Sequence, residues 1–304
     1  MGRQFQLENN AANGSASCIL CREAEHRFLF RKAGFDLVEC SNCGLAYIAN
    51  PPNEAQVAAL YTASADYHDE LLDPSSRSFA RLRKIARQHL RMLGRSVAEP
   101  DGVCLLDIGC SSGLFLAEAR ARGYDVHGVE LSPETAQFAR SHFEIPVHTG
   151  SYEYAGFEKG SFDVITLFDV IEHMVDPFVE LKRIREYLKP GGLLLQSTPN
   201  IDGLFPRLSY RLAKLLDYWP HPEPPHHLFQ FSARTIRLMT EMAGYECRRI
   251  DQTRIGLDYS FGTPADWRRS PKMLAYAALF APASVVGPWI GRGDWLYIAA
   301  NRPD

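Results

Sequence analysis

The sequence lacks an excess of either charge. Its 304 residues include 33 Lys and Arg against 36 Asp and Glu, a formal net charge of −3. A chain without overall positive charge has no general attraction to nucleic acid or anionic lipid, so any such affinity has to come from a local surface. The first eighteen residues also lack an apolar run. No secretory signal is therefore visible, and a cytoplasmic location is expected.

Two nucleotide-binding fingerprints are missing as well. No G-x-x-x-x-G-K-[ST] occurs, which excludes a P-loop. The small-residue loop that starts at Gly109 has Ser111 and Leu114 where G-x-G-x-x-G requires glycine, which excludes the dinucleotide pattern. The loop is informative all the same, because it follows an apolar strand and precedes a helix. Such loops bring backbone N–H groups close to a ligand at the carboxyl edge of a sheet.

Four of the seven cysteines form two Cys-x-x-Cys pairs, Cys18 with Cys21 and Cys40 with Cys43. Two such pairs present four thiolates from two directions, as a tetrahedral structural zinc site requires, and their spacing suits a zinc ribbon. Two unrelated redox or buried pairs are the alternative. Between residues 17 and 50, four basic residues balance four acidic ones. That zero balance is a poor electrostatic footprint for a nucleic-acid backbone.

From residue 103 onward, apolar runs alternate with amphipathic segments, which predicts an α/β fold with a parallel sheet covered by helices. A helix is predicted over 77–93, and Lys189-Pro190-Gly191-Gly192 is predicted to be the turn before the fifth strand. Strands are predicted at 103–108, 124–129, 146–149, 162–168, 193–197, 245–251 and 295–300. The expected divisions are a flexible tail (1–14), a zinc ribbon (15–52), a helical linker or cap (53–100) and the sheet domain (101–304), which includes a lid-like insertion (198–231) and an apolar segment (273–291).

Several motifs, in order, carry a family resemblance. Asp107-Ile-Gly-Cys-Ser-Ser-Gly113 resembles motif I of the class I S-adenosylmethionine (SAM)-dependent methyltransferases, and Val129-Glu-Leu-Ser132 resembles their acidic ribose motif. The segment from Asp169 to Pro177 resembles the subgroup of ubiquinone-pathway O-methyltransferases. The paired cysteines at the start also resemble bacterial methyltransferases of glycan and secondary-metabolite pathways.

The resemblance implies a Rossmann-like sheet, mostly parallel with one antiparallel strand near its end, and SAM as the cofactor. Two positions depart from the family pattern: Ser111 replaces the middle glycine, and Gly150-Ser151 stands where Gly-Asp often meets the adenine. Ser151 or Tyr152 is the expected substitute for that aspartate. The implied SAM-contacting residues are Asp107, Gly109, Cys110, Ser111, Gly113, Glu130, Leu131, Ser151 and Phe168.

Three histidines are candidate catalytic residues. Transfer to a hydroxyl or carbon acceptor requires a base, and histidine suits that role near neutral pH. His173 follows the fourth strand, where the family's acceptor pocket opens, and His226 and His227 precede a helix that Ser232 caps. Helix-capping, core or exposed-loop roles are the alternatives. Glu172 together with these histidines is also a candidate set of metal ligands.

The expected reaction is methylation of a hydroxyl on a sugar, glycan intermediate or small metabolite, with carbon and nitrogen acceptors left open. Two alternatives remain. An RNA methyltransferase would use the ribbon as its reader, although the ribbon's charge balance argues against a nucleic-acid partner. A scaffold protein would bind SAM without turning it over.

Two segments raise the question of membrane contact. Residues 77–95 hold seven basic side chains and no acidic one, and residues 273–291 hold no charge. Pro282 and Pro288 interrupt the apolar segment, and the strand after it is needed in the same sheet as residues 103–108. A buried or interfacial helix is therefore expected, with peripheral contact to the inner face of a membrane as an alternative.

Overall fold

The computed structural model describes residues 17–53, 56, 72–216, 219, 222–254 and 256–304. The predicted tail and most of the segment between the predicted ribbon and the first long helix lie outside the described residues.

A small antiparallel sheet carries the cysteine quartet. Its strands are β1 (His26–Lys32), β2 (Phe35–Cys40), β3 (Ala46–Ile48) and β9 (Phe229–Gln230), in that spatial order. The last strand comes from a part of the chain about 180 residues away from its neighbour, and Ala46 and Tyr47 pair with Gln230 and Phe229. Long-range pairing therefore joins the N-terminal sheet to the segment that contains the His226–His227 pair.

The described residues form a central sheet of seven strands: β4 (Cys104–Ile108), β5 (Asp125–Glu130), β6 (Val147–Thr149), β7 (Phe162–Phe168), β8 (Leu188–Pro199), β10 (Glu246–Thr253) and β11 (Trp295–Asn301). Their order is β10-β11-β8-β7-β4-β5-β6. Strands β4 to β8 pair in parallel, whereas β11 is antiparallel to both of its neighbours. The predicted fold class is confirmed, including the reversed strand near one end of the sheet.

Helices cover this sheet, and those predicted over 77–93 and after Ser232 are confirmed. Ser76, Ser132, Asp176 and Ser232 each accept a hydrogen bond from the backbone N–H three residues on, which satisfies a donor at the helix start. The helices are α1 (Arg77–Leu93), α2 (Leu114–Arg120), α3 (Pro133–Phe143), α4 (Pro177–Arg185), α5 (Leu204–Leu216), α6 (Ala233–Met242), α7 (Leu257–Phe261), α8 (Pro264–Arg269) and α9 (Pro271–Val286).

The turn predicted at Lys189–Gly192 lies inside a strand, so that prediction is wrong. Strand β8 starts at Leu188, which pairs with Phe162, and pairing resumes with Leu193 opposite Val164. The register shift leaves the Pro-Gly-Gly sequence as an irregularity within β8. Gly191 has a φ of 72°, a conformation that glycine adopts without a steric penalty.

The insertion at 198–231, which shows no clear periodicity in the sequence, contains α5 and β9 and packs on the small sheet. Trp219 is 2% exposed and lies in a cluster with Leu29, Leu37 and Ala213. Its ring meets that of Phe30 edge-on at 6.0 Å. The described parts of the insertion are thus anchored to the N-terminal sheet.

A buried histidine in α1 gives the fold a pH dependence. His89 stacks on Phe168 at 4.0 Å, its Nδ1 lies 2.7 Å from the Tyr297 hydroxyl, and burial lowers its pKa to about 3. Between its ordinary pKa of 6.5 and this value, the unfolded chain binds a proton that the folded chain does not. The folded state therefore loses stability as the pH falls through that window.

We expect His89→Phe to remove this pH dependence while it keeps a ring against Phe168. Between pH 8 and pH 5, the wild type should lose about 2 kcal/mol more of its free energy of unfolding than the variant does. Urea unfolding of both proteins at the two pH values measures this. If the difference in free energy of unfolding between the two proteins is the same at both pH values, His89 takes up its proton as readily in the folded protein as in the unfolded chain.

Candidate active site

The glycine loop lies between β4 and α2, at the carboxyl edge of the central sheet. Gly109 and Cys110 donate their N–H groups to the Val129 carbonyl at 2.8 and 3.0 Å, which ties the loop to the end of β5. Ser111 has a φ of 48°, in the left-handed region that favours the glycine usual at this position. At Gly113, with a φ of 76°, a Cβ would lie 2.7 Å from Ala139 Cβ, so glycine allows α2 and α3 to approach closely.

Glu130 fixes the geometry of this loop. One carboxylate oxygen accepts the Ser111 N–H and the other accepts the Ser132 N–H, both at 2.8 Å. Asp107 at the end of β4 is buried, accepts a hydrogen bond from Thr166 Oγ1 at 2.6 Å, and has its pKa raised to about 7 by burial and, secondarily, by the charge of Glu130. Two acidic groups thus lie beside the loop, one buried beneath it and one at its edge.

The other predicted SAM-contacting residues lie along the same sheet edge. Leu131 follows β5 and is 50% exposed, Ser151 follows β6, and Phe168 ends β7. Ser151 Oγ caps a short 3-10 helix by accepting the Glu153 N–H. Tyr152, the other expected substitute for the missing aspartate, donates its hydroxyl to Glu180 at 2.5 Å. Tyr152 is thus engaged by the side chain of Glu180, whereas the hydrogen bond given for Ser151 is to the backbone.

A second cluster follows β7. Glu172, His173 and His227 have potential ligand atoms that all lie within 4.8 Å of one another, and the two imidazole rings meet edge-on at 4.8 Å. His226 contributes its backbone here, because His173 Nδ1 lies 2.9 Å from the His226 carbonyl oxygen. The structure thus brings together segments that are about fifty residues apart in the sequence.

Burial sets the charge state of this cluster. It lowers the pKa of His173 to about 4, so the ring is neutral near pH 7. It also raises the pKa of Glu172 well above its ordinary value, with a further contribution from the negative charge of Asp169. Glu172 is 1% exposed, and neither of its carboxylate oxygens has a hydrogen-bond partner among the described residues.

Sequence reasoning missed Asp169 as an individual site residue. It has a φ of 58°, in the left-handed region, directly after β7. Its Oδ1 accepts hydrogen bonds from Ser197 Oγ at 2.6 Å and Trp295 Nε1 at 2.9 Å, and burial raises its pKa to about 6. An aspartate after a buried strand was the available signal, since Asp tolerates this backbone conformation better than most residues.

Short contacts connect the glycine loop (the predicted cofactor loop), the histidine cluster and the N-terminal sheet. A Cβ on Gly109 would lie 2.5 Å from Val170, three residues before His173. On the other side, Leu228 donates its N–H to the Glu172 carbonyl at 2.8 Å and accepts the Ile48 N–H at 2.9 Å. Strand β3 of the small sheet therefore positions Leu228, and Leu228 in turn positions the segment with Glu172 and His173.

The four cysteine sulfurs converge in the small sheet. Cys18 Sγ lies 3.5 Å from Cys43 Sγ and Cys21 Sγ lies 3.4 Å from Cys40 Sγ, all four lie within 4.8 Å of one another, and none forms a disulfide. Sulfurs around a tetrahedral zinc ion are separated by about 3.8 Å. The donor set and its spacing therefore fit a structural zinc ion.

Comparisons with known proteins find methyltransferases similar to this chain in sequence and in fold. A ubiquinone biosynthesis O-methyltransferase from Cereibacter sphaeroides is 35% identical over 158 residues, which covers 48% of this chain and 64% of that protein. The chain thus spans less than two thirds of that curated relative. A Haloferax volcanii methyltransferase structure, solved in complex with the activator Trm112, covers 82% of this chain and 98% of its own at 16% identity with a TM-score of 0.56. The [4+2]-cyclase SpnF has the same fold, with a TM-score of 0.53 at 16% identity over 83% of this chain and 98% of its own.

The sheet order, the loop after β4 and the acidic residue that ends β5 are those of the class I SAM-dependent methyltransferases. A family model described as a methyltransferase domain matches residues 77–250, which is more than half of the chain. The chain belongs to this methyltransferase family.

Proposed function

We propose that the chain transfers a methyl group from SAM to a hydroxyl group of a small metabolite, a sugar or a glycan intermediate. The observation that carries this proposal is the imidazole of His173, which the His226 carbonyl orients and which follows Val170, the residue that contacts Gly109, by three positions. The name of the Cereibacter relative, an O-methyltransferase, supports an oxygen acceptor.

SAM supplies the methyl group on a sulfonium centre, and the chain has to position the acceptor and remove its proton. A carbonyl oxygen only accepts, so the hydrogen bond to His226 requires that His173 Nδ1 carry the hydrogen and Nε2 the lone pair. Burial keeps His173 neutral near pH 7, and in this proposal its Nε2 accepts the acceptor's hydroxyl proton. Glu130 and the loop from Gly109 to Gly113 bind the cofactor, with Leu131, Ser151 and Phe168 along the same edge.

In the same proposal, residues 15–52 form a zinc ribbon that supports the acceptor side of the site. Its ligands are Cys18, Cys21, Cys40 and Cys43, whose sulfurs have the spacing described above. Four thiolates fill a tetrahedral shell, so this metal is structural.

Transfer of labelled methyl groups tests the proposal. Purified protein is incubated with methyl-labelled SAM and cell extract, which is then separated into small-molecule, glycan, RNA and protein fractions. Label in the small-molecule or glycan fraction, on a product with an O-methyl group, is the expected result. Label in RNA would favour the RNA methyltransferase instead, and SAM binding without any transfer would favour a scaffold.

A divalent cation held by Glu172, His173 and His227 is the competing assignment for the same cluster. The two carboxylate oxygens of Glu172, buried without a partner among the described residues, favour it. Such an ion would polarise the acceptor hydroxyl and leave His173 as a ligand in place of a base.

Metal content separates the two assignments. If His173 is the base, we expect wild type and Glu172→Gln to contain the same metal, the zinc of the cysteine quartet, by inductively coupled plasma mass spectrometry. A further ion in the wild type that is absent from Glu172→Gln would establish the competing assignment. His142→Asn, an exposed histidine on α3, is the control for nonspecific loss of metal.

A further inference from the structure

Helix α9 and the short 3-10 turn after it expose a continuous apolar face. Residues Pro271–Ile290 form the one helical segment, among the described residues, that is long and apolar enough to cross a membrane, and only 28% of its apolar window is buried. Trp289, at its end, is 86% exposed. From Leu274 to Ile290 the exposed residues recur at helical spacing and include no charge: Leu274, Ala275, Ala278, Leu279, Pro282, Val286, Trp289 and Ile290.

The opposite face of α9 packs against the protein. Ala277, Phe280 and Ala283 are buried in a cluster with Phe205 of α5 and Phe261 of α7. The strands on either side of this helical region, β10 and β11, pair with each other along the central sheet. A spanning helix would separate these two strands across the bilayer, so α9 fits a position parallel to a surface.

Basic side chains surround the apolar face. Residues 77–95 and 256–292 together carry eleven basic side chains against two acidic ones, in a chain whose net charge is −3. Glu118 and Asp251, outside these segments, pair with Arg87 and Arg95 at 3.4 and 2.8 Å, which leaves an excess of seven positive charges. The two segments are adjacent in the structure, since Arg81 and Lys84 of α1 lie 3.9 and 3.8 Å from Asp258 of α7. Arg268, Arg269, Lys272 and Arg292 lie at the two ends of the apolar face and are exposed.

A cavity of about 380 Å³ opens between α1 and α7. Arg81, Lys84, Arg87 and Arg91 line it, with Asp258 as its one acidic lining residue among the described residues. Four cations around one cavity suit a phosphate-bearing headgroup. The cavity and the exposed face of α9 thus offer one binding mode for an anionic lipid, with the headgroup among cations and the acyl chains against the helix.

From these features we infer that the protein docks on an anionic membrane surface, with α9 lying in the interface and the basic side chains of α1 on the phosphates. Charge complementarity selects this partner over a second copy of the chain, because two copies would bring two surfaces with an excess of positive charge together. An exposed Trp at the end of the apolar face matches the preference of Trp for the headgroup region.

Vesicle co-sedimentation tests this inference. We expect wild type to bind vesicles of equal parts phosphatidylcholine and phosphatidylglycerol at least about tenfold more strongly than phosphatidylcholine alone, and to dissociate as salt is raised. Leu279→Glu, on the exposed face, should weaken binding about tenfold, and Lys84→Glu should weaken it on anionic vesicles. Phe28→Glu is the matched control, because Phe28 and Leu279 are both 57% exposed and Phe28 lies on β1.

S-adenosylhomocysteine affinity equal to wild type shows that each variant is folded. Failure of the wild type to bind, equal binding to neutral vesicles, or binding unaffected by Leu279→Glu would each overturn the inference. A wild-type dimer in analytical ultracentrifugation that Leu279→Glu dissociates, without any vesicle binding, would assign the face to self-association. None of these outcomes depends on the acceptor or on the role of His173.

Discussion

His173→Asn should lose methyl transfer by about 10²- to 10⁴-fold in kcat, the usual contribution of a general base. The asparagine amide can still donate to the His226 carbonyl, which His173 Nδ1 contacts at 2.9 Å, so the loop keeps its support. What the variant lacks is a basic nitrogen in place of Nε2. Single-turnover kinetics with labelled SAM measures the loss.

The cofactor site should be unaffected by this substitution. Glu130 and the loop from Gly109 to Gly113 do not depend on the His173 ring for any hydrogen bond described above. S-adenosylhomocysteine should therefore bind His173→Asn and the control His142→Asn as it binds wild type. Near-normal turnover in His173→Asn would remove this residue from the mechanism. His226→Ala should retain most activity, because the contact to His173 uses the backbone carbonyl.

Loss of the ribbon metal should abolish methyl transfer while cofactor binding persists. In Cys40→Ser the quartet loses one thiolate at the end of β2, and a structural zinc site with an incomplete shell binds its ion far more weakly. Strand β3 then loses its anchor, and with it go the Ile48–Leu228 and Leu228–Glu172 hydrogen bonds that position the acceptor loop. We expect zinc content to fall to background and kcat to drop by at least about 100-fold.

Cys247→Ser is the matched control for this variant. Cys247 is half-buried on β10, outside the quartet, so its substitution removes a thiol without touching a proposed ligand. Zinc content and turnover should stay at wild-type values in Cys247→Ser. Loss of S-adenosylhomocysteine binding along with zinc in Cys40→Ser would show that the ribbon supports the whole fold. Full turnover without zinc would show that the ribbon does not support the site.

The central sheet and the cofactor loop could be predicted from the sequence because their signals are local. The order of apolar strands, the capping residues of the helices and the Gly109–Gly113 spacing all lie within short windows. The motif after β7 also placed His173 and Glu172 at the carboxyl edge. The residues that contact them, His226, His227 and Leu228, lie in a segment whose sequence shows no periodicity, so these contacts could not be derived from a local pattern.

The link between ribbon and active site could not be predicted, because β9 is only two residues long and pairs with β3 far away in sequence. Two residues cannot show the alternation that identifies a strand. The bulge inside β8 was missed for a related reason. Lys-Pro-Gly-Gly is a turn sequence by local preference, and tertiary pairing of Leu188 with Phe162 overrides it.

Titration of S-adenosylhomocysteine into wild type and Glu130→Ala by calorimetry tests the central claim most directly. Glu130 accepts the Ser111 and Ser132 N–H groups, and these two charge-assisted hydrogen bonds hold the loop that is proposed to bind the cofactor. The account predicts saturable binding in the wild type, weakened at least about 100-fold in Glu130→Ala, or about 3 kcal/mol. Glu153→Ala, a surface acid in the next loop, should bind as wild type does. No binding to the wild type, or equal affinity in Glu130→Ala, would contradict the assignment of this sheet edge as the cofactor site.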